Sequence, residues 1–176
     1  MTNVFFTADT HFGHENIIKY CKRPFKNVQE MDNKIIFNWN KKVKPGDKVY
    51  FAGDFCFKHS KKDSKSFRYW LSQLNGEVIF FKGNHDSKNS LNTKLVSGII
   101  KIDGEEVFIC HCPKDYSKAQ KINLVGHVHE KWKIKKIGEN ILVNIGVDQW
   151  NFTPIRWEEI STEIKKFYSN FIQNNQ

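Results

Sequence analysis

Five short apolar runs of this chain end alike, in an Asp, an Asn or a His, and that repeated ending constrains the fold more than any other feature. The runs are VFFTADTH (4–11), KVYFAGD (48–54), EVIFFKGNHD (77–86), EVFICH (106–111) and INLVGHVH (122–129). Each reads as a strand. In an open α/β sheet ligands bind at the carboxyl ends of the strands, so five such ends are expected to converge on one edge. The Asp9-x-His11 and His127-x-His129 spacings fit that picture, because residues two apart on an extended segment project to the same side.

Imidazole, carboxylate and amide oxygen suit borderline first-row metal ions, and the absence of Cys from the set argues against a structural zinc finger. The candidate ligands are Asp9, His11, Asp54, Asn84, His111, His127 and His129. They are too many for one four-coordinate ion and suit two ions a few ångströms apart with an Asp between them. Two divalent cations set against Asp9, Asp54 and a hydroxide leave roughly one positive charge to hold an anionic phosphate, and a neutral Asn ligand preserves it.

In order, DTH (9–11), GD (53–54), GNHD (83–86), CHC (110–112) and GHVH (126–129) resemble the motif blocks of the calcineurin-like metallophosphoesterases. The flanking TADTHFGHENIIKYC and NIGVDQWNFTPIRWEEI are similar to small bacterial and phage members of that superfamily. The resemblance covers residues 4–129. It implies an α/β fold, a four-layer α/β/β/α sandwich of two mixed β-sheets packed face to face with helices outside. The chain's own pattern supports only strands alternating with helices early and hairpins late.

By the same resemblance Asp9, His11 and His129 hold one divalent ion, Asn84, His111 and His127 hold the other, and Asp54 bridges. Mn is favoured among Mn, Fe, Ni, Co and Zn. A hydroxide between the ions is the implied nucleophile, generated near neutral pH. His85, uncommitted to metal, sits over the substrate phosphate as general acid or charge stabiliser. Asp86 is expected to orient it, as a carboxylate fixes an imidazole tautomer. The implied activity is phosphoester hydrolysis, with small phosphodiesters or nucleotides as substrates. Diesters are preferred over monoesters because helices occupy most of residues 12–52, leaving little chain for a cap over an open site. A nuclease with the same ions is the alternative, and a non-catalytic scaffold a third, against which an intact ligand set with His85 argues.

The formal charge of +9 attracts phosphates, nucleic acids and anionic membranes alike. Its lysines fall in short groups (41, 42, 44; 58, 61, 62, 65; 131, 133, 135, 136) and read as solvated faces ahead of a nucleic-acid groove. At 176 residues and 27% charged the chain fits one globular domain, residues 1–176. MTNVFF lacks a secretory pattern, and no apolar run approaches the roughly 20 residues of a membrane span, so a cytoplasmic protein without membrane partners is expected. Cys21, Cys56, Cys110 and Cys112 form no CxxC pair, which suits a reducing compartment, and packing is the favoured role of Cys110 and Cys112.

Periodicity supplies the remaining elements. Asn27 and Glu30 make a capping-box pattern ahead of Met31, Ile35 and Trp39, predicting a helix over 27–42. A second helix is expected over 64–75, with Ser64 as cap and Gly76 as stop, a short one near 16–21, and a third amphipathic stripe over 158–172. Asp103-Gly104 signals a type I′ hairpin, and Gly138-Glu139-Asn140 a second hairpin between 132–137 and 141–145. His14 is open to either a substrate contact or a backbone hydrogen bond. His59 reads as a surface residue, and Trp132, Trp150 and Phe152 as packing ahead of base stacking.

Overall fold

Side-chain alternation decides the architecture. Strand β1 (Val4–Thr7) sends Val4 and Phe6 to one side and Phe5 to the other, β2 (Lys48–Ala52) sends Tyr50 and Ala52 against Val49 and Phe51, and β3 (Glu77–Phe81) sends Phe81 against Val78 and Phe80. A sheet apolar on both faces must be covered on both, which is the condition parallel strands meet. The computed structural model describes residues 2–57, 67–86 and 95–173. In it β1, β2 and β3 pair in parallel, and the short β9 (Ile155–Arg156) adds antiparallel to β1, giving the order β3-β2-β1-β9.

A second sheet repeats the plan in the order β4-β5-β6-β8-β7, built from β4 (Ser97–Ile102), β5 (Glu105–Cys110), β6 (Ile122–Val125), β7 (Ile134–Ile137) and β8 (Asn140–Asn144). Its centre, β5-β6-β8, is parallel and both margins are antiparallel hairpins. Phe6, Ala52 and Phe81 of the first sheet meet Val107, Ile109, Leu124, Ile141 and Val143 of the second in one buried cluster, so the sheets pack face to face as the family resemblance implies.

Helix α2 (Val28–Lys42) starts where expected: the Asn27 side chain accepts the Glu30 N–H at 2.9 Å. The Glu30 carboxylate reaches one residue further back than in the usual box, to the Lys26 N–H. Its face of Met31, Ile35 and Trp39 is fully buried on the outside of the first sheet beside α1 (Glu15–Tyr20) and α3 (Phe67–Leu71), a burial worth about 1.5–3 kcal/mol per large side chain. Helix α4 (Trp157–Gln173) joins the inter-sheet cluster through Trp157, Ile160 and Ile164. On the outer face of the second sheet, Cys110, Val125 and Leu142 pack with Phe108 and Ile137 of the same sheet and with Tyr116 and Trp132 from the connecting segments, so among the described residues no long helix joins that cluster, where helix was expected.

The hairpins are close to expectation. Asp103 and Gly104 both have positive φ (48° and 83°), as a type I′ turn requires, between the paired Ile102 and Glu105. The second turn is one residue tighter than the sequence suggests, because Asn140 pairs with Ile137 and only Gly138-Glu139 remain in the loop. Ser64, His59 and the lysine group 58–65 lie outside the described residues. Among the described residues no helix is long and apolar enough to cross a membrane.

Candidate metal centre

Parallel strands place their carboxyl ends together, and the seven expected ligands follow the ends of β1, β2, β3, β5 and β6. The strands belong to two sheets, so the ligands converge across the mouth of the sandwich, not along one edge. The two sheets are stitched there by a parallel bridge between Ala8 and Gly146, with the Val147 N–H donating to the Ala8 carbonyl at 3.0 Å. Beyond β1 the chain continues along the segment after β2: the N–H groups of Asp9, His11 and Phe12 donate to the carbonyls of Gly53, Asp54 and Phe55.

Two ligand groups result. Asp9, His11 and His129 bring one donor atom each within 4.8 Å of one another, and so do Asp54, His111 and His127. Asn84 joins the second, its Oδ1 lying 2.8 Å from His111 Nε2 and 2.9 Å from His127 Nδ1. Asp54 Oδ2 lies 3.3 Å from His111 Nε2 and 3.6 Å from His11 Nε2, between the groups. Its other oxygen accepts the His85 N–H at 2.9 Å.

Contrary to the expectation from their spacing, DxH and HxH are not extended here. Asp9, His11, Asp54, His127 and His129 all have φ between 48° and 70°. In this left-handed region Asp and His are enriched among non-glycine residues, at a cost of about 1–3 kcal/mol each, and such outliers gather at functional sites. His127 and His129 consequently turn to different groups. Close approach also explains Gly53: its φ is 89°, and a Cβ there would come within 2.6 Å of Gly83 Cα and 2.7 Å of His111 Nδ1.

Electrostatics show what the cluster requires. Burial raises the Asp9 carboxyl to about 6 despite the pull of His111 and His129, and burial pushes His11 well below its usual range. For Asp54, burial is outweighed by the hydrogen bond and charge of His111, with His11 helping, so its carboxyl is held well below the ordinary value. For His111, burial is overcome by Asp54 and Asp9, which lift it to about 9; for His129, burial is overcome chiefly by Asp148, which lifts it to about 10. Protons on imidazoles thus supply the positive charge the carboxylates demand. Asp9 Oδ1 and His11 Nε2 are buried without a hydrogen-bond partner, a loss of about 1–3 kcal/mol each that a cation at the same place removes. The donor set therefore fits divalent metal ions.

The remaining expected residues divide. His85 is exposed, its ring centroid 5.7 Å from that of His11, where it can face a substrate. Asp86 does something else: its carboxylate accepts the N–H groups of Gly83 (2.7 Å), Asp54 (2.8 Å) and Phe55 (3.2 Å), locking together the loops after β2 and β3 in place of contacting the His85 ring. His14 sits at the N-terminal boundary of α1 without a side-chain capping hydrogen bond, and its ring stacks on Phe57 at 4.2 Å, beside His11. Trp150 and Phe152 are packed, the Trp150 indole N–H donating to the Asn144 carbonyl, and Cys110 is buried while Cys112 is half-buried.

Two residues that sequence reasoning missed lie behind the centre. Asp148 Oδ2 is 3.0 Å from His129 Nδ1, and Asp148 accepts both Arg23 Nε (2.8 Å) and Arg23 Nη2 (2.9 Å). The Arg23 side chain is fully buried. A signal existed in the flanking segments YCKRPF and GVDQW, but it consists of single residues 125 positions apart.

A sequence profile of the Metallophos family, the calcineurin-like phosphoesterases, matches residues 2–175. The chain belongs to the calcineurin-like phosphoesterase family. Members typically bind two divalent metals, in keeping with the two ligand groups. The uncharacterized protein MJ1445 of Methanocaldococcus jannaschii is 34% identical over 174 residues, covering 94% of this chain and 93% of its own. The Gene 66 protein of Mycobacterium phage L5 is 23% identical over 185 residues, covering 85% and 88%. Among solved structures, the protein of unknown function AQ665 from Aquifex aeolicus superposes with a TM-score of 0.71 at 26% identity, covering 92% of this chain and 99% of that chain.

Proposed function

We propose that this protein is a two-metal phosphodiesterase acting on small diesters, nucleotide-derived ones included. Asp9, His11 and His129 would hold one ion, Asn84, His111 and His127 the other, and Asp54 would serve both; Mn is the favoured metal. The observation that carries the reading is the pair of ligand groups sharing Asp54, with Asp9 Oδ1 and His11 Nε2 buried and lacking hydrogen-bond partners.

When bound, the ions supply Lewis acidity and activate water as the nucleophile. The chain's own residues do the rest. Asp54 lies between the two groups, and its tie to the His85 N–H fixes the loop that presents the His85 ring. His85 donates a proton to the leaving oxygen or stabilises charge on the phosphoryl group. Asp86 keeps the loops bearing Asp54 and Asn84 in register through its three backbone contacts.

Diester preference is supported by openness. Asn84, His85 and His127 are exposed, and between the first two motif blocks the chain is taken up by α1 and α2 on the outside of the first sheet, so it builds no cap. A small substrate is supported by where lysines fall among the described residues. Lys41, Lys42 and Lys44 sit before β2, whereas Asp54 follows it, a strand length of about 16 Å away. Near the site Lys133 is engaged by Glu163 at 3.6 Å and by the Trp150 ring. A cytoplasmic location is supported by the thiols of Cys21, Cys110 and Cys112, which form no disulfide among the described residues.

The test compares kcat/KM for bis-nitrophenyl phosphate, nitrophenyl phosphate, cyclic nucleotides and a single-stranded oligonucleotide at fixed metal and salt. Small diesters should lead. A tenfold advantage for the monoester would end the diesterase reading, and an advantage for the oligonucleotide with steep salt dependence would establish the nuclease in its place.

A further inference from the structure

Arg23 is a buried cation with every donor used. Its Nε and Nη2 grip the two oxygens of Asp148, Nη2 also donates to the Asp9 carbonyl at 2.7 Å, and Nη1 donates to the Thr10 carbonyl at 3.0 Å and contacts Met31 Sδ at 3.3 Å. It is delivered there by the end of α1, where its N–H donates to the Ile18 carbonyl. A guanidinium is the side chain suited to this, since its planar fork satisfies a carboxylate bidentately and leaves donors for two carbonyls. Asp148 is equally committed, taking Arg23 on one side and His129 Nδ1 on the other, with its side chain 3% exposed.

These contacts all bear on one of the two ligand groups. Arg23 fixes the carbonyls on either side of Thr10, between Asp9 (φ 59°) and His11 (φ 51°), and Asp148 holds the ring of His129, whose donor atom lies within 4.8 Å of those of Asp9 and His11. The other group is held differently: His111 Nδ1 meets the Ala52 carbonyl at 2.8 Å, and His127 and Asn84 are exposed. We propose that the Arg23–Asp148 pair is a positioning device dedicated to the Asp9–His11–His129 ion, setting its affinity apart from that of the second ion. The inference rests on the two-metal reading above and concerns positioning residues, since neither side chain faces the substrate.

Its test is a Mn²⁺ titration of the full chain after EDTA treatment, read by calorimetry and by electron paramagnetic resonance, so that no activity measurement is needed. Asp148→Asn and Arg23→Lys should each weaken one ion by about 10–100-fold, the usual cost of losing the partner of a metal-bound imidazole, and should weaken the other far less. Mononuclear Mn²⁺ signals should then persist at loadings where the wild type shows a coupled pair. The double variant should be little worse than the poorer single one, because both changes act through the same ligands. Retained charge in Arg23→Lys should not rescue, since one ammonium cannot span Asp148 and two carbonyls. If Asp148→Asn does not fold, Arg23→Lys carries the same expectation.

His127→Ala serves as the reciprocal, weakening the other ion. Asp47→Ala serves as the structural control: its carboxylate ties Asn3 and Lys44 at the opposite end of β2, so it should lower Tm without moving either binding step. Equal weakening of both ions, or unchanged binding in Asp148→Asn and Arg23→Lys while the wild type binds two, overturns this proposal alone. A wild type that binds no Mn²⁺ overturns the two-metal reading and the proposal with it.

Discussion

Replacing Asp86 with Ala should damage the fold before it damages the chemistry. The carboxylate is buried and accepts three backbone N–H groups, at 2.7, 2.8 and 3.2 Å, from Gly83, Asp54 and Phe55. Hydrogen bonds to a charged acceptor contribute about 1.5–3 kcal/mol each, and stranded buried donors cost about 1–3 kcal/mol each. The exposed neighbours Asn84 and His85 let water reach part of the gap, so the expected loss is about 3–5 kcal/mol, below the simple sum. For a chain of this size each kcal/mol moves Tm by about 2–4 °C, which gives a fall of roughly 6–20 °C. Calorimetric melting of EDTA-treated wild type and variant at neutral pH measures it. Asp86→Asn should fall between them, because the amide oxygen still accepts while its NH₂ faces a donor. If Asp86 acted by orienting the His85 ring, the Ala variant would melt within about 2 °C of wild type and lose turnover in step with His85→Ala; that result refutes the reasoning.

His85→Ala should keep both ions and lose about 10²–10⁴ in kcat, less with a nitrophenolate leaving group than with a sugar alkoxide; equal losses on the two esters would exclude a leaving-group acid. Metal loading should be strongly pH-dependent. His111 and His129, raised to about 9 and 10, are protonated at pH 7 and must give up those protons to bind a cation, whereas Asp9, at about 6, is already mostly ionised. Binding at pH 7 should therefore release about two protons and tighten as pH rises from 6.5 to 8.5. Calorimetry in two buffers of different ionisation enthalpy reads the proton count, and affinity flat across that range would contradict it.

That the strand-end Asp, Asn and His gather in one place was legible in the sequence; the backbone geometry that gathers them was not. Strand-end Asp, Asn and His could be nominated because each follows a short apolar run, and the structure brings all seven together. The DxH and HxH residues gather by a different backbone geometry from the one expected, since two-residue spacing suggests an extended segment while the chain here turns left-handed at every one of those positions. Residue type carries only a weak preference for that region, so close packing of the loops decides it. Asp86 misled through adjacency: next to His85 in sequence, it turns inward because three loop N–H groups lacked any other acceptor. Arg23 and Asp148 could not be matched to each other from sequence, because single residues 125 positions apart carry no spacing that pairs them. Two sheets in place of one edge could not be read from strands alone, because nothing in a single strand says which neighbour it pairs with.

The central claim, two cations sharing Asp54, is tested most directly by counting metal in the purified chain. Wild type and Asp54→Ala are loaded with excess Mn²⁺, freed of unbound metal by gel filtration, and measured by elemental analysis alongside diester turnover. The account predicts about two ions per wild-type chain, and fewer than two with abolished turnover in Asp54→Ala, because adjacent cations need shared negative charge between them. A wild type that never exceeds one ion per chain, or an Asp54→Ala variant that keeps both ions and near-normal turnover, would contradict it.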